Sequence, residues 1–213
     1  SNISHQRKIS SYHNEQAFYR DVANRLDKQC RVPQCIEAVQ EGESFGLILE
    51  DLDAAGYAQR TLSPHISEIA RGLHWLARFH ANTINLESSP LWPVGTYWHL
   101  GTRPDEYKTM PEGALKRFAS DIDSALSSAR YQCLVHGDAK VANLCFSDDF
   151  QRVSAVDFQY VGGGVGVKDV AYFLGSCLDD NGLQKHATRL LETYFDYLRN
   201  ALKMQQEASA TTA

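Results

Sequence analysis

No glycine precedes Gly42 in this chain of 213 residues. A turn whose backbone N–H groups close over a phosphate depends on glycine, so that stretch has no sequence for one. The charge of a nucleic-acid-binding protein is missing as well. Lys and Arg number 21 against 26 Asp and Glu, a formal net charge of −5 with no basic footprint. No apolar run is long enough to span a bilayer. Residues 1–8 are polar and put no apolar stretch after the basic pair Arg7-Lys8, so no signal peptide is expected. The five cysteines (Cys30, Cys35, Cys133, Cys145 and Cys177) are odd in number and never spaced C-x-x-C, which excludes a disulfide framework and a zinc site. They read as reduced, mostly buried thiols in a cytoplasmic protein with no nucleic-acid and no membrane partner. The glycine-rich run 160–168 ends in Lys168, yet Val167 and Asp169 stand where a P-loop needs Gly and Ser or Thr.

What is present is ordinary in bulk and specific in one place. A hydrophobic content of 43% and a charged content of 22% suit a soluble globular chain, long enough for one sizeable core or two small lobes. The specific place is residues 134–143, Leu-Val-His-Gly-Asp-Ala-Lys-Val-Ala-Asn. A short apolar run leads to Gly137, which permits a tight bend, and Asp138, Lys140 and Asn143 follow. Residues 153–159 answer it, with alternating small apolar positions ending at Asp157-Phe158-Gln159. Ser147-Asp148-Asp149 makes a polar turn between the two, so a hairpin is expected to bring Asn143 back beside Asp157. This arrangement suits phosphoryl transfer, which asks the protein to position charges. Asp138 is placed to accept the proton of an attacking hydroxyl, and Lys140 to reach the transferred phosphate. Asn143 and Asp157 offer the hard oxygen ligands that Mg²⁺ takes alongside water and nucleotide phosphates.

These residues match the kinase pattern H-x-D-x-K-x-x-N followed by Asp-Phe-x. The chain resembles the aminoglycoside phosphotransferase and choline kinase superfamily, most closely its ecdysteroid-kinase-like branch, which has Gly where protein kinases usually have Arg before the catalytic Asp. The resemblance follows element order over most of residues 9–200. It implies an α+β, protein-kinase-like fold with a truncated N-terminal lobe (1–51) and a mainly helical C-terminal lobe (52–213). It also implies transfer of the γ-phosphate of ATP, with Mg²⁺, to the hydroxyl of a small molecule. Two other readings stay open: a degenerate nucleotide-binding module, and a protein kinase, for which no Ala-Pro-Glu element is present.

Helices are expected from a cap at Ser10 or Ser11 to about residue 28, from Ser63-Pro64 through the stripe ending at Ile84, over 112–129, over 170–178 and over 183–202, with a disordered tail from Gln205. His80 on the second of these reads as a hydrogen-bonded core histidine. Strands are expected over 32–40 and 44–49 about the turn Glu41-Gly42. Glu15 lies on the inward stripe of the first helix, or at its watered edge. By resemblance it is the glutamate that pairs with a strand lysine holding the nucleotide's phosphates. Glu50, Asp51 and Leu52 resemble the link between lobes, where backbone groups bind adenine. By resemblance Asp169 braces the catalytic loop, and residues 86–110, with Trp92, Tyr97 and Trp98, form part of the acceptor wall. Before Glu15 the only lysine is Lys8, too close to leave room for a strand and loop. The first strands, phosphate loop and lysine are therefore expected outside these residues, and the chain alone is expected to bind ATP weakly.

Overall fold

The computed structural model describes residues 2–42, 44–96 and 99–212. Helix α1 (Asn2–Asp21) leads. It starts before the expected cap and stops sooner than residue 28. Ser11 lies inside it, its hydroxyl donating to the Lys8 carbonyl at 2.8 Å, a back-bond within a helix and not a cap. The helix ends because Asp27 organises the next stretch as a turn. Its Oδ1 accepts the amides of Gln29 (2.8 Å) and Cys30 (3.1 Å).

Strands β1 (Cys35–Glu41) and β2 (Ser44–Leu49) form an antiparallel hairpin with Ala38 opposite Leu47. Gln16 of α1 donates to Val39 O (3.0 Å) and Gly46 O (3.3 Å), fastening the helix across both strands. Helix α2 (Ile66–Asn82) begins after Ser63-Pro64, because Glu68 reaches back to the His65 amide at 2.8 Å and fixes the N-terminus there. It buries Ile69, Leu73, Leu76, Phe79 and His80.

The stretch 86–110 is less irregular than its composition suggests. It holds a 3-10 turn at Leu100–Thr102 and the short helix α3 (Pro104–Thr109), with Pro at the first position and Asp105 and Glu106 in the first turn. Helix α4 (Ala114–Ser127) falls within the expected span 112–129. Its apolar face does not enter the core, and Leu115, Phe118 and Ile122 are 64%, 55% and 45% exposed. The amphipathic spacing was real; periodicity specifies a face but not what covers it.

Two small antiparallel pairs carry the central loops. Strand β3 (Cys133–Val135) pairs with β6 (Gly162–Gly164), and β4 (Leu144–Phe146) with β5 (Val153–Ala155) in the expected hairpin. The β6 pairing was not foreseen, because three successive glycines carry no strand signal. Helix α5 (Val167–Cys177) and α6 (Asp180–Thr212) close the fold, α6 packing along α2. The expected disorder after Gln205 is not found. Glu207 and Ala208 are good helix formers, and Lys203 pairs with Glu207 one turn on at 3.9 Å.

The core is organised around Phe158. Its ring stacks on Phe18 with centroids 3.8 Å apart and meets His136 at 4.8 Å, while Trp75 stacks on Phe79 beside it. Phe18→Ala removes a fully buried ring from this cluster and is expected to cost about 3–5 kcal/mol, whereas Phe118→Ala on the exposed face of α4 should stay within about 0.5 kcal/mol. Urea denaturation of both variants measures this. Equal losses would remove the distinction drawn between the two helices.

Candidate active site

The loop carrying Asp138 leaves β3, all three of whose residues are buried. At Gly137 the backbone takes φ +85°, and a Cβ there would stand 2.1 Å from the Tyr160 carbonyl oxygen. Only glycine meets both the angle and the space. The loop is held from beneath by Asp169 of α5. Its carboxylate accepts the amides of His136 (2.6 Å) and Gly137 (3.0 Å) and the Nε2 side of His80 (3.1 Å), whose Nδ1 lies 2.9 Å from the Tyr194 hydroxyl. Burial would raise the Asp169 pKa, but these donors and the neighbouring histidines hold it below the usual carboxylate value.

His136 is fully buried, and burial pushes its pKa down, against the pull of Asp169. Its Nδ1 accepts the Asp138 amide at 3.3 Å, and Nε2 lies 3.0 Å from the Val156 carbonyl. That network assigns a neutral ring protonated on Nε2. The histidine therefore ties the Asp138 loop to the end of the β4–β5 hairpin.

Asp138 is 8% exposed, and its Oδ2 accepts both Lys140 Nζ (2.7 Å) and Asn143 Nδ2 (3.1 Å). The bond to Asp138 raises the Lys140 pKa. Lys140, expected on the phosphate, stands on the aspartate here. Asn143 ends a 3-10 turn over Val141–Asn143 and also donates to the Asp138 carbonyl at 2.9 Å, leaving its own oxygen free of these bonds. The Val156 amide donates to Asn143 O at 3.0 Å, so the hairpin does bring Asn143 beside Asp157.

Asp157 adopts φ +69°, a conformation that costs a non-glycine residue about 1–3 kcal/mol and gathers at functional sites. Its Oδ1 is buried and has no hydrogen-bond partner among the described residues. An orphaned carboxylate oxygen, on the residue after the one whose amide bonds Asn143, is what a hard divalent cation fits, with the remaining positions left to water and phosphate. Among the described residues no cluster of three or more His, Cys, Asp or Glu gathers as a metal site, so such a cation would rest on the sparse protein ligation typical of Mg²⁺.

Glu15 faces inward. It accepts the Phe158 amide at 3.0 Å; burial raises its pKa, the Phe158 bond opposes that and the nearby Asp157 charge adds to it. Among the described residues no cation pairs with it. A cavity of about 450 Å³ opens beside it between α1 and β2, lined also by Tyr12, Phe45, Leu47 and Gln159. Glu50 has its side chain on Arg31 at 2.5 Å and its amide on Gln34 O at 2.8 Å. Asp51 Oδ1 accepts the Asp53 and Ala54 amides, and the Leu52 side chain is buried with Tyr57 and Cys145. These side chains are structurally engaged, which leaves backbone groups for any nucleotide there.

Two residues went unnoticed in the sequence. Asn14 is a buried hub: Nδ2 donates to the carbonyls of Phe158 (3.3 Å), Gln159 (3.2 Å) and Val161 (2.9 Å), and Oδ1 accepts the Trp92 amide at 2.8 Å. No local signal separates it from other polar helix residues. Tyr172, on α5, has its pKa raised by partial burial and then by the charge of Asp138 and a hydrogen bond to it. The one-turn spacing from Lys168 and Asp169 pointed to that helix face without giving it a role. The Trp92 indole donates to Gln159 O at 2.8 Å, packing onto the loop after Asp157, while Tyr97 and Trp98 lie outside the described residues.

An aminoglycoside phosphotransferase, APH(3'')-Id from Streptomyces rimosus, solved in complex with ADP and streptomycin, aligns at a TM-score of 0.59 and 14% identity, covering 92% of this chain and 81% of that one. A choline/ethanolamine kinase family protein from Mesorhizobium loti aligns at 0.54 and 19% identity, covering 95% and 72%. No curated protein matched. The fold is thus α+β and protein-kinase-like, of the aminoglycoside phosphotransferase and choline kinase type. A family profile matches residues 3–92 and 97–207, and on that match the chain belongs to the ecdysteroid kinase-like family.

Proposed function

We propose that this protein is a Mg²⁺- and ATP-dependent phosphotransferase acting on the hydroxyl of a small molecule. The observation that carries the reading is the orphaned, buried Oδ1 of strained Asp157, set beside Asn143 at the end of the Asp138 loop. The family and the two structural relatives, one holding ADP and streptomycin, support it.

Bound Mg²⁺ would neutralise the charge of the nucleotide's phosphates. Asp157 and Asn143 would hold it. Asp138, held in place by Asn143, takes the proton of the acceptor hydroxyl, and Tyr172 at its edge helps to orient that hydroxyl. Lys140 reports on the base in the resting site and is long enough to swing to the phosphate as negative charge moves there. Residues 1–51 act as the nucleotide lobe, with Glu50, Asp51 and Leu52 presenting backbone groups to adenine. Glu15 sets the backbone of Phe158 and with it the aim of Asp157. The acceptor is placed against the loop carrying Trp92.

Asp138→Asn is expected to lower kcat about 10²–10⁴-fold while nucleotide affinity stays close to that of the parent. Initial rates with a turned-over alcohol measure it, and a variant with near-parental kcat removes Asp138 from the mechanism. Asp157→Ala should weaken Mg²⁺-dependent ATP binding, and Asn143→Ala should weaken it less, being a neutral ligand. Calorimetric titrations with and without Mg²⁺ decide this, and undiminished binding by the Asp157 variant contradicts the metal assignment.

Glu15 yields a pH prediction. Its pKa is raised in the folded state, so its contribution to stability is complete below the ordinary carboxylate value of 4.5 and is lost as pH rises through the higher folded value. Without ligand, the melting temperature of the parent relative to Glu15→Gln is expected to fall as pH increases from about 4.5 upward. A difference that is flat with pH would show Glu15 to be as solvated folded as unfolded.

A further inference from the structure

A second cavity, of about 260 Å³, lies away from the catalytic loop, where the segment before β1 meets α2 and the start of β5. Its lining includes Lys28, Arg31, Tyr57, Arg71, His74 and Arg152, and no carboxylate among the described residues lines it. Four cations thus converge on one small concavity in a chain whose net charge is −5.

The charges around this cavity are unevenly answered. Arg31 is paired with Glu50 at 2.5 Å, and Asp27 close by is spent on Arg78 (2.6 Å) and Asn82 (2.7 Å). Among the described residues Arg71 bonds only the neutral side-chain oxygen of Gln151, and Arg152 lies 5.1 Å over the Tyr57 ring. Asp149, near Arg152, has its Oδ1 taken by Ser147 Oγ (2.6 Å) and the Gln151 amide (3.0 Å). Among the described residues no carboxylate forms an ion pair with Lys28, Arg71 or Arg152. Like charges held together without counter-charge repel, and a bound anion relieves that repulsion. Guanidinium groups in particular present paired N–H donors that match the oxygens of a phosphate.

We propose that this cavity is a binding site for a phosphate group, either free or carried by a small phosphorylated molecule. It is separate from the proposed nucleotide site but mechanically joined to it. The Arg31 carbonyl accepts the Trp75 indole at 2.8 Å and the Ala155 amide at 3.3 Å, in the strand that runs to Asp157, while the Arg31 side chain holds Glu50 at the end of β2. A phosphate drawing on Arg31 therefore acts on both walls of the catalytic cleft. His74 supplies a reporter: burial first, then the charges of Arg78 and Arg71, press its pKa down against the smaller pull of Asp27. A bound dianion is expected to bring it back up.

The test is calorimetric titration of the full chain with inorganic phosphate, pyrophosphate and glycerol 3-phosphate, with glycerol as the uncharged control. His74 is followed through pH by NMR with and without pyrophosphate. Saturable binding to the parent, a rise in the His74 pKa, and a loss of at least about tenfold in affinity for Arg71→Gln/Arg152→Gln are expected. Both arginines are exposed, and melting curves confirm that the double variant is folded. Asp157→Ala should keep the binding, which separates this site from the nucleotide site even if the phosphotransferase reading fails. Tighter binding of glycerol 3-phosphate than of inorganic phosphate assigns the site to a phosphorylated metabolite, and the reverse assigns it to the free ion. Unchanged affinity in the double variant, an unmoved His74, or binding abolished by Asp157→Ala would each overturn the proposal, as would a stronger response to polyglutamate than to any phosphate.

Discussion

A buried carboxylate with three donors is the constraint on which the centre of this structure depends. Asp169 sits at the first turn of α5, where the exposed amides already favour negative charge. It spends that charge on the backbone of His136 and Gly137 and on the ring of His80. Removing it would leave those donors buried without partners, the costly case for polar groups in an interior. The bond to His80 continues through Tyr194 on α6, so one side chain joins the loop, α2, α5 and α6.

The other side of the centre is fixed by Phe158 and its neighbours. Asn14 and Glu15 are adjacent on α1, yet they grip the chain after Asp157 from two directions. Asn14 donates to its carbonyls and Glu15 accepts its amide. With Phe158 stacked on Phe18, the backbone at Asp157 is held in a conformation it would not choose alone. An electrostatic link runs the same way. Burial raises the pKa of Glu15 and the charge on Asp157 adds to it, so a cation on one aspartate oxygen would also favour ionised Glu15 and its bond to the Phe158 amide.

The sequence exposed the parts of this centre whose chemistry is local. Asp138, Lys140 and Asn143 fall within one loop, and the polar turn at 147–149 was enough to fold β5 back on β4. It hid the parts that depend on distant partners. Asn14 looks like any polar residue on a helix until Trp92 and the carbonyls of Phe158, Gln159 and Val161 surround it. The α4 periodicity was visible, but whether Leu115 and Phe118 are covered depends on packing that spacing does not encode. The early stop of α1 comes from Asp27 competing for the backbone, a turn signal masked by apolar residues at Phe18, Val22 and Leu26 that keep helical spacing past it. The C-terminal part of α6 is hard to read because small, polar residues suggest a loose tail by composition, even though the Gln, Glu and Ala among them are good helix formers.

The glycine seam between β6 and the loop at 92–96 carries a consequence for how this protein can diverge. A Cβ on Gly162 would stand 2.2 Å from the Trp92 carbonyl oxygen, one on Gly163 2.5 Å from that of Pro93, and one on Gly95 2.7 Å from the Val135 side chain. At Gly162 and Gly163 main chain lies directly on main chain, and at Gly95 the Gly162 backbone stands 2.8 Å away behind the Val135 side chain. Single substitutions along the seam are closed by collision, so heritable change in that wall must enter through its flanks, by residues inserted or removed on either side of the fixed strip. Relatives with this seam should therefore differ beside it in loop length before they differ within it in composition.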